Sequence, residues 1–205
     1  MIAVADYGAG NLMSVTNALR SLGAESLRAS SPDEILAAGA VILPGVGEFG
    51  SAAAELERRG LKEALRAAAD RGTPLLGICL GMQLLFESSE ESPGAAGLSV
   101  LPGRSRLLRG GAGLKIPHVG WNTISLTKKS RLLAGIPEES YMYFVHSFYV
   151  DADVRGDVSA VTRYGTAFDS AVERGNVFGC QFHPEKSGAA GLAILKNFIA
   201  IAEGA

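Results

Sequence analysis

Leu75-Leu76-Gly77-Ile78-Cys79-Leu80-Gly81-Met82-Gln83 runs from a short apolar segment into a cysteine flanked by glycines, and its reading decides the fold. The apolar residues are continuous, not alternating, as expected of a strand covered on both faces in a parallel sheet. The form Gly-x-Cys-x-Gly is that of a nucleophile elbow with sulfur in place of oxygen. Its glycines let the chain turn sharply from strand into helix and leave the cysteine exposed above the sheet edge. A thiol at a helix N-terminus is favoured as thiolate, the form that attacks, and the N–H of Leu80 is placed to bind an oxyanion. The competing reading is a buried structural thiol, because cysteine is among the most buried residue types.

Upstream, strand-like and helical patterns alternate. Ile2 to Asp6 reads as a strand, Leu12, Val15, Leu19 and Leu22 recur at helical spacing until Gly23, and Ala40 to Leu43 is a second apolar run, stopped by Pro44 and Gly45. Ala52 to Arg71 reads as one helix ending at Gly72, and Pro74 to Ile78 as a third strand. Beyond Ser92 the runs Asn122 to Leu126, Tyr141 to Val150, Asp157 to Tyr164 and Val177 to Phe182 are separated by Gly, Pro and Asp turns, which suggests antiparallel pairing. A last helix would place Leu192, Leu195 and Ile199 on one face, while Glu87 to Gly97 and Arg109 to Gly113 read as flexible loops. The expectation is an α/β fold in one domain spanning residues 1–205: a mostly parallel central sheet flanked by helices, with additional antiparallel strands in the C-terminal half.

The 205 residues carry a formal net charge of -2 from interspersed acids and bases, so no basic stripe marks a nucleic-acid or anionic-membrane partner. MIAVADYG lacks the basic start of a signal peptide, and no apolar run approaches the roughly 18 residues a spanning helix needs, so a cytoplasmic protein is expected. Two cysteines are too few for a disulfide framework.

A thiol nucleophile needs a base, and His118, His146 and His183 are the three histidines. In Phe182-His183-Pro184-Glu185-Lys186, Pro184 biases His183 toward an extended conformation. Residues two apart in an extended chain share a face, with Cα atoms roughly 6.5 Å apart. Glu185 is thereby placed to accept from one imidazole nitrogen and leave the other for Cys79. A solvent-facing strand-end pair is the plainer alternative. A zinc site from Cys79, Cys180, His146 and His183 lacks closely spaced ligand pairs, so no metal is expected. Gly8-Ala9-Gly10 after the first strand hints at a nucleotide-binding module, but the third glycine of that fingerprint is Met13.

Gly-Ile-Cys-Leu-Gly-Met-Gln at 77–83, followed by His-Pro-Glu at 183–185, resembles the class I (triad) glutamine amidotransferases. Asp6-Tyr7-Gly8-Ala9-Gly10-Asn11-Leu12, Pro44-Gly45-Val46-Gly47, Lys115-Ile116-Pro117-His118-Val119-Gly120-Trp121-Asn122 and Tyr143-Phe144-Val145-His146-Ser147 are similar to the glutaminase subunits of imidazole glycerol phosphate synthases within that family. The resemblance spans nearly the whole chain. It departs at Glu48, where a small residue is expected, and at Phe148, where tyrosine is frequent.

The resemblance implies a Cys79–His183–Glu185 triad that hydrolyses L-glutamine without a cofactor. It implies an oxyanion hole from Leu80 and from Val46 or Gly47, and substrate contacts at Gly45, Gln83, His146, Ser147 and Phe148. It further implies a heterodimer with a (β/α)8-barrel cyclase in histidine biosynthesis, docked around Asn11, Pro117, His118, Trp121 and Lys186. The rivals are a glutaminase serving another synthase, such as that of pyridoxal phosphate, and a catalytically silent subunit of the same fold.

Overall fold

The computed structural model describes residues 1–109 and 113–204. Its parallel strands are β1 (Ile2–Ala5), β2 (Ser26–Ala29), β3 (Ala40–Gly45), β4 (Leu75–Cys79) and, far downstream, β12 (Val177–Cys180), in the order β2-β1-β3-β4-β12. β1, β3, β4 and β12 are buried along their whole length, because helices cover both faces of the sheet. On one face, α2 (Pro32–Ala37), α3 (Phe49–Arg58) and α4 (Leu61–Asp70) contribute Ile35, Leu56 and Leu65 to one core cluster. On the other, α1 (Leu12–Ser21) and α6 (Gly188–Glu203) contribute Val15, Leu19, Ile194, Leu195 and Phe198 to a second.

The sheet continues antiparallel through β11 (Thr166–Arg174), β10 (Val158–Tyr164), β7 (His118–Leu126) and β8 (Ser140–His146). A branch is formed by β9 (Phe148–Ala152), which pairs with both β11 and β6 (Gly103–Leu107), while β6 also pairs with the short β5 (Ser88–Ser89). The architecture is the α/β arrangement expected. Among the described residues no helix is long and apolar enough to cross a membrane.

Several local expectations are corrected. Ala52 to Arg71 is two helices, because Gly60 adopts φ 68° and ends the first before α4 begins. Tyr141 to Val150 is likewise two strands, broken at Ser147. The last helix buries Gly191, Ile194, Leu195 and Phe198, while Leu192 and Ile199 are only half-buried. The segment Glu87 to Gly97 is tied down by backbone bonds, from Glu87 N to Gly103 O at 3.1 Å and from Glu90 N to Ser105 O at 3.0 Å. The other expected loop, Arg109 to Gly113, falls largely on residues 110–112, outside those described.

One packing contact sets the rest. The helix α5 (Leu80–Leu84) starts directly on β4, and a Cβ built on Gly81 would lie 1.8 Å from the carbonyl oxygen of Leu43 on β3. Because that neighbour is backbone, no side chain can swing aside. Gly81→Ala should therefore cost more than about 4 kcal/mol of stability or prevent folding. Urea unfolding followed by circular dichroism measures this, and a loss below about 1 kcal/mol would mean that α5 moves off β3 freely.

Candidate active site

Cys79 is the last residue of β4 and precedes α5, with φ 55° and ψ -112°. Positive φ is rare for a residue with a Cβ and concentrates at functional turns. The register pairs Gly45 with Cys79 across β3 and β4. A Cβ on Gly45 would lie 2.8 Å from the Gly81 nitrogen and 2.8 Å from the Tyr7 hydroxyl. Gly45 is thus closely packed against the start of α5 and is not among the residues lining the cleft. The Tyr7 hydroxyl, fully buried, donates to the Pro44 carbonyl at 3.0 Å and fixes the turn that leads to Val46 and Gly47. Gly47 has φ 100°, a conformation that favours glycine.

A cleft of about 270 Å³ opens on this elbow, lined by Val46, Gly47, Cys79, Leu80, Gln83, Glu91, Pro117, Val145, His146, Ser147, Phe148 and His183. Cys79 is mostly buried, at 6% exposure, and lines the cleft. That sulfur sits 3.9 Å from the Val145 carbonyl and accepts from the Gln181 amide at 3.8 Å.

His183 is held by its backbone: its N–H donates to the Tyr143 carbonyl at 2.9 Å, and its carbonyl accepts from the Ser187 hydroxyl at 2.6 Å. Its Nδ1 lies 2.9 Å from Oε1 of Glu185, and both side chains are almost wholly buried. The expectation that these two share a strand face is corrected. His183 is extended, but Pro184–Lys186 forms a single 3-10 turn, and the turn carries Glu185 back to the ring. Proline, with its fixed φ and missing N–H, suits the first position of that turn. Nε2 of His183 is buried and has no hydrogen-bond partner, the Cys79 sulfur included.

The three histidines part company electrostatically. Burial alone would lower His183, but Cys79 and Glu185 on either side of the ring raise it to about 9. Burial lowers His118 to about 4. Burial also lowers His146, to about 3, helped by the neighbouring imidazoles against the carbonyl of Phe148. Cys180 is fully buried and its thiol pushed up by that burial, leaving Cys79 as the thiol that meets the cleft. Among the described residues, no group of three or more His, Cys, Asp or Glu is arranged to hold a metal ion.

Gln83, His146, Ser147 and Phe148 line the cleft as expected. The amide of Gln83 donates to the Phe148 carbonyl at 2.9 Å and to Gln181 at 3.2 Å, tying the two walls together. Of the residues expected to meet a partner, Pro117, Trp121 and Lys186 are exposed and Asn11 half-buried, whereas His118 is only 2% exposed and lies inside the sheet. Its place on β7 explains the correction: Val119 and Trp121 point outward, so His118 points in.

Sequence reading missed Glu91. Its carboxylate lines the cleft, accepts from the Phe49 N–H at 2.8 Å, and is raised by burial and by the nearby charge of Glu48. Glu48 caps α3 through the N–H groups of Gly50 and Ser51, at 3.0 and 2.6 Å, and bonds the Ser92 hydroxyl. It thereby tethers the segment that carries Glu91. The Gly8 to Gly10 turn is spent on packing, with Gly8 beside the Arg59 side chain and Gly10 against Pro44.

A model of the family described as glutamine amidotransferase class-I matches residues 3–202. The chain is 51% identical over 197 residues to imidazole glycerol phosphate synthase subunit HisH of Moorella thermoacetica, covering 96% of this chain and 93% of that one. It is 50% identical over 201 residues, 98% of each chain, to the subunit of the same name from Methanothermobacter thermautotrophicus. In fold it is similar to a crystal structure of glutamine amidotransferase, with TM-score 0.77, 21% identity and 98% of each chain covered. It is also similar to PurLQS from Thermotoga maritima, with TM-score 0.75, 22% identity, and 98% of this chain and 97% of that one covered.

A folded-state value near 9 against an unfolded one of 6.5 means that protonated His183 stabilises the fold. That contribution is fully present below about pH 6.5 and is lost as pH rises through about 9. The urea midpoint should accordingly fall across this window, and Glu185→Gln should flatten the fall by removing the carboxylate that favours the cation. Equal slopes in wild type and variant would show that Glu185 does not sustain the charge.

Proposed function

This chain belongs to the class-I glutamine amidotransferase family, and from that membership we propose that it is the glutaminase subunit of an imidazole glycerol phosphate synthase. The observation that carries the mechanism is the 2.9 Å bond between His183 and Glu185 in the cleft that holds the elbow cysteine. In this reading Cys79 Sγ attacks the side-chain amide carbon of glutamine, and a tetrahedral oxyanion forms. His183, held in orientation by Glu185, gives a proton to the departing nitrogen; the C–N bond breaks, ammonia leaves and a thioester remains. Water, deprotonated by His183, then attacks the thioester, releasing glutamate and the Cys79 thiolate.

The Leu80 N–H, among the first of α5 and so without an acceptor inside the helix, is one oxyanion donor. An N–H at Val46 or Gly47 is the other, and losing one such donor costs about 2.7 to 4 kcal/mol of barrier. Within the cleft, Ser147 and Phe148 suit the amino acid carboxylate, and the carboxylate of Glu91 suits the ammonium.

Ammonia released into water is protonated and loses its nucleophilicity, so the activity is useful only against an acceptor enzyme. A (β/α)8-barrel cyclase is the proposed partner, in a cytoplasmic heterodimer. The proposed docking face is the exposed apolar rim with Trp121 at 56% and Val119 at 57% exposure, flanked by Pro117 and Lys186 and approached by Asn11. Relatives at 48 to 51% identity carry the imidazole glycerol phosphate synthase name, which favours this acceptor over that of pyridoxal phosphate synthesis.

Cys79→Ala should lower glutamine hydrolysis by more than about a thousandfold while leaving the fold intact. Glutamate release, measured alone and with the cyclase and its ribonucleotide, checks both parts. Full activity in the variant would remove the mechanism, and no stimulation by the loaded cyclase would remove the pathway assignment.

A further inference from the structure

The wall of the cleft opposite the elbow contains a chain of polar groups whose protons are fixed from its ends. The Phe148 carbonyl can only accept, so Nδ1 of His146, 2.9 Å away, carries the proton. Nε2 of a neutral His146 is then an acceptor, and the proton in its 3.0 Å contact with His118 belongs to Nδ1 of His118. Nε2 of His118 is an acceptor in turn, facing the Asn122 amide nitrogen at 3.3 Å. That amide cannot be reversed, because its nitrogen also donates to the Arg163 carbonyl at 3.0 Å and its oxygen accepts from the Thr123 N–H at 2.8 Å. Both rings are buried, and His118 is stacked between Tyr164, at 4.1 Å, and Phe144, at 4.9 Å.

We infer that Asn122, His118 and His146 form a tautomer-fixed chain of positioning residues that holds the Ser147–Phe148 wall in its glutamine-binding shape and ties it to β7. The Phe148 carbonyl takes a second hydrogen bond from Gln83 at 2.9 Å, so both walls of the cleft are joined at one oxygen. If His118 lost its donor, Nε2 of His146 would be a buried acceptor without a partner, and the Phe148 carbonyl alone would hold the ring. The ring would turn to satisfy Nε2, its bond to the Phe148 carbonyl would loosen, and the wall would move away. The strong downward shift of both rings agrees with a neutral chain, because an added proton would set two donors facing each other. At its outer end the chain sits on the strand whose opposite face carries Val119 and Trp121.

Only the kinetic half of this inference rests on the glutaminase reading. Nitrogen-15 NMR of histidine-labelled protein at neutral pH should show His118 and His146 both neutral and protonated on Nδ1. His118→Phe keeps a ring between Tyr164 and Phe144 but offers no donor. In it the Nε2 resonance of His146 should lose the shift of a hydrogen-bonded acceptor, and KM for glutamine should rise about tenfold with little change in kcat. His118→Gln, which restores a donor, should recover most of that loss. Should His118→Phe fail to fold, Asn122→Ala removes the outer donor without disturbing the stack and should shift KM the same way. The inference is overturned if either wild-type ring is charged or protonated on Nε2, or if the variants leave both the His146 nitrogen shifts and KM unchanged. A fully active Cys79→Ala protein would overturn the catalytic reading instead and leave the spectra to decide this one.

Discussion

Everything in the site hangs from the close approach of Gly81 to the Leu43 carbonyl. Without a Cβ at that position α5 can start directly above β3, and Cys79 must then turn the chain with a positive φ that few residues with a side chain adopt. The turn is held because β3 and β4 are buried on both faces and paired residue by residue up to Gly45 and Cys79. A well-packed two-sided sheet can carry local strain of about 1 to 3 kcal/mol at one residue without losing its fold. Gly45, at the end of β3, is packed against the Gly81 nitrogen, and Val46, Gly47 and Leu80 line the same cleft.

Environment, not residue type, divides the work among the three histidines. His183 has a carboxylate on one side and a thiol on the other, so the balance of burial and neighbours favours its cation. His146 and His118 have carbonyl, amide and imidazole neighbours, none of which rewards a charge, and burial decides. A ring that gains and gives protons therefore sits within the same cleft as a ring held neutral. The first suits chemistry and the second suits holding a shape.

The parallel half of the fold was legible because strands buried on both faces leave continuous apolar runs, and the elbow because its glycines bracket the cysteine. The His183–Glu185 pair was legible in its residues but not in its geometry: the two meet through a 3-10 turn, a conformation Pro184 permits but does not demand. The break at Gly60 was hidden by an otherwise uniform helix-forming composition. The Ser31 to Glu34 capping box that starts α2 is a local signal that could have been read. The burial of His118 could have been inferred from alternation along β7, had the strand been started at His118 and not at Asn122. Glu91 was not legible. Its position depends on Glu48 and Ser92 bonding across a gap of 44 residues, a tertiary contact with no local trace.

The β7–β8 hairpin closes one end of the sheet, and its alternation sorts two functions onto two faces. His118, Met142, Phe144 and His146 point inward, toward the core and the cleft, while Val119, Trp121, Tyr141 and Val145 point outward and are exposed. The register pairs His118 with His146 and Val119 with Val145, so each face is continuous across both strands. A terminal strand with an apolar outer face is a liability for a protein standing alone, and a covering partner removes it. Any protein seated on that outer face therefore rests on the two strands whose inner side chains shape the wall against which glutamine would lie. The hydrogen bonds of His118 and His146 join the inner face of this hairpin to the cleft wall, with no intervening loop.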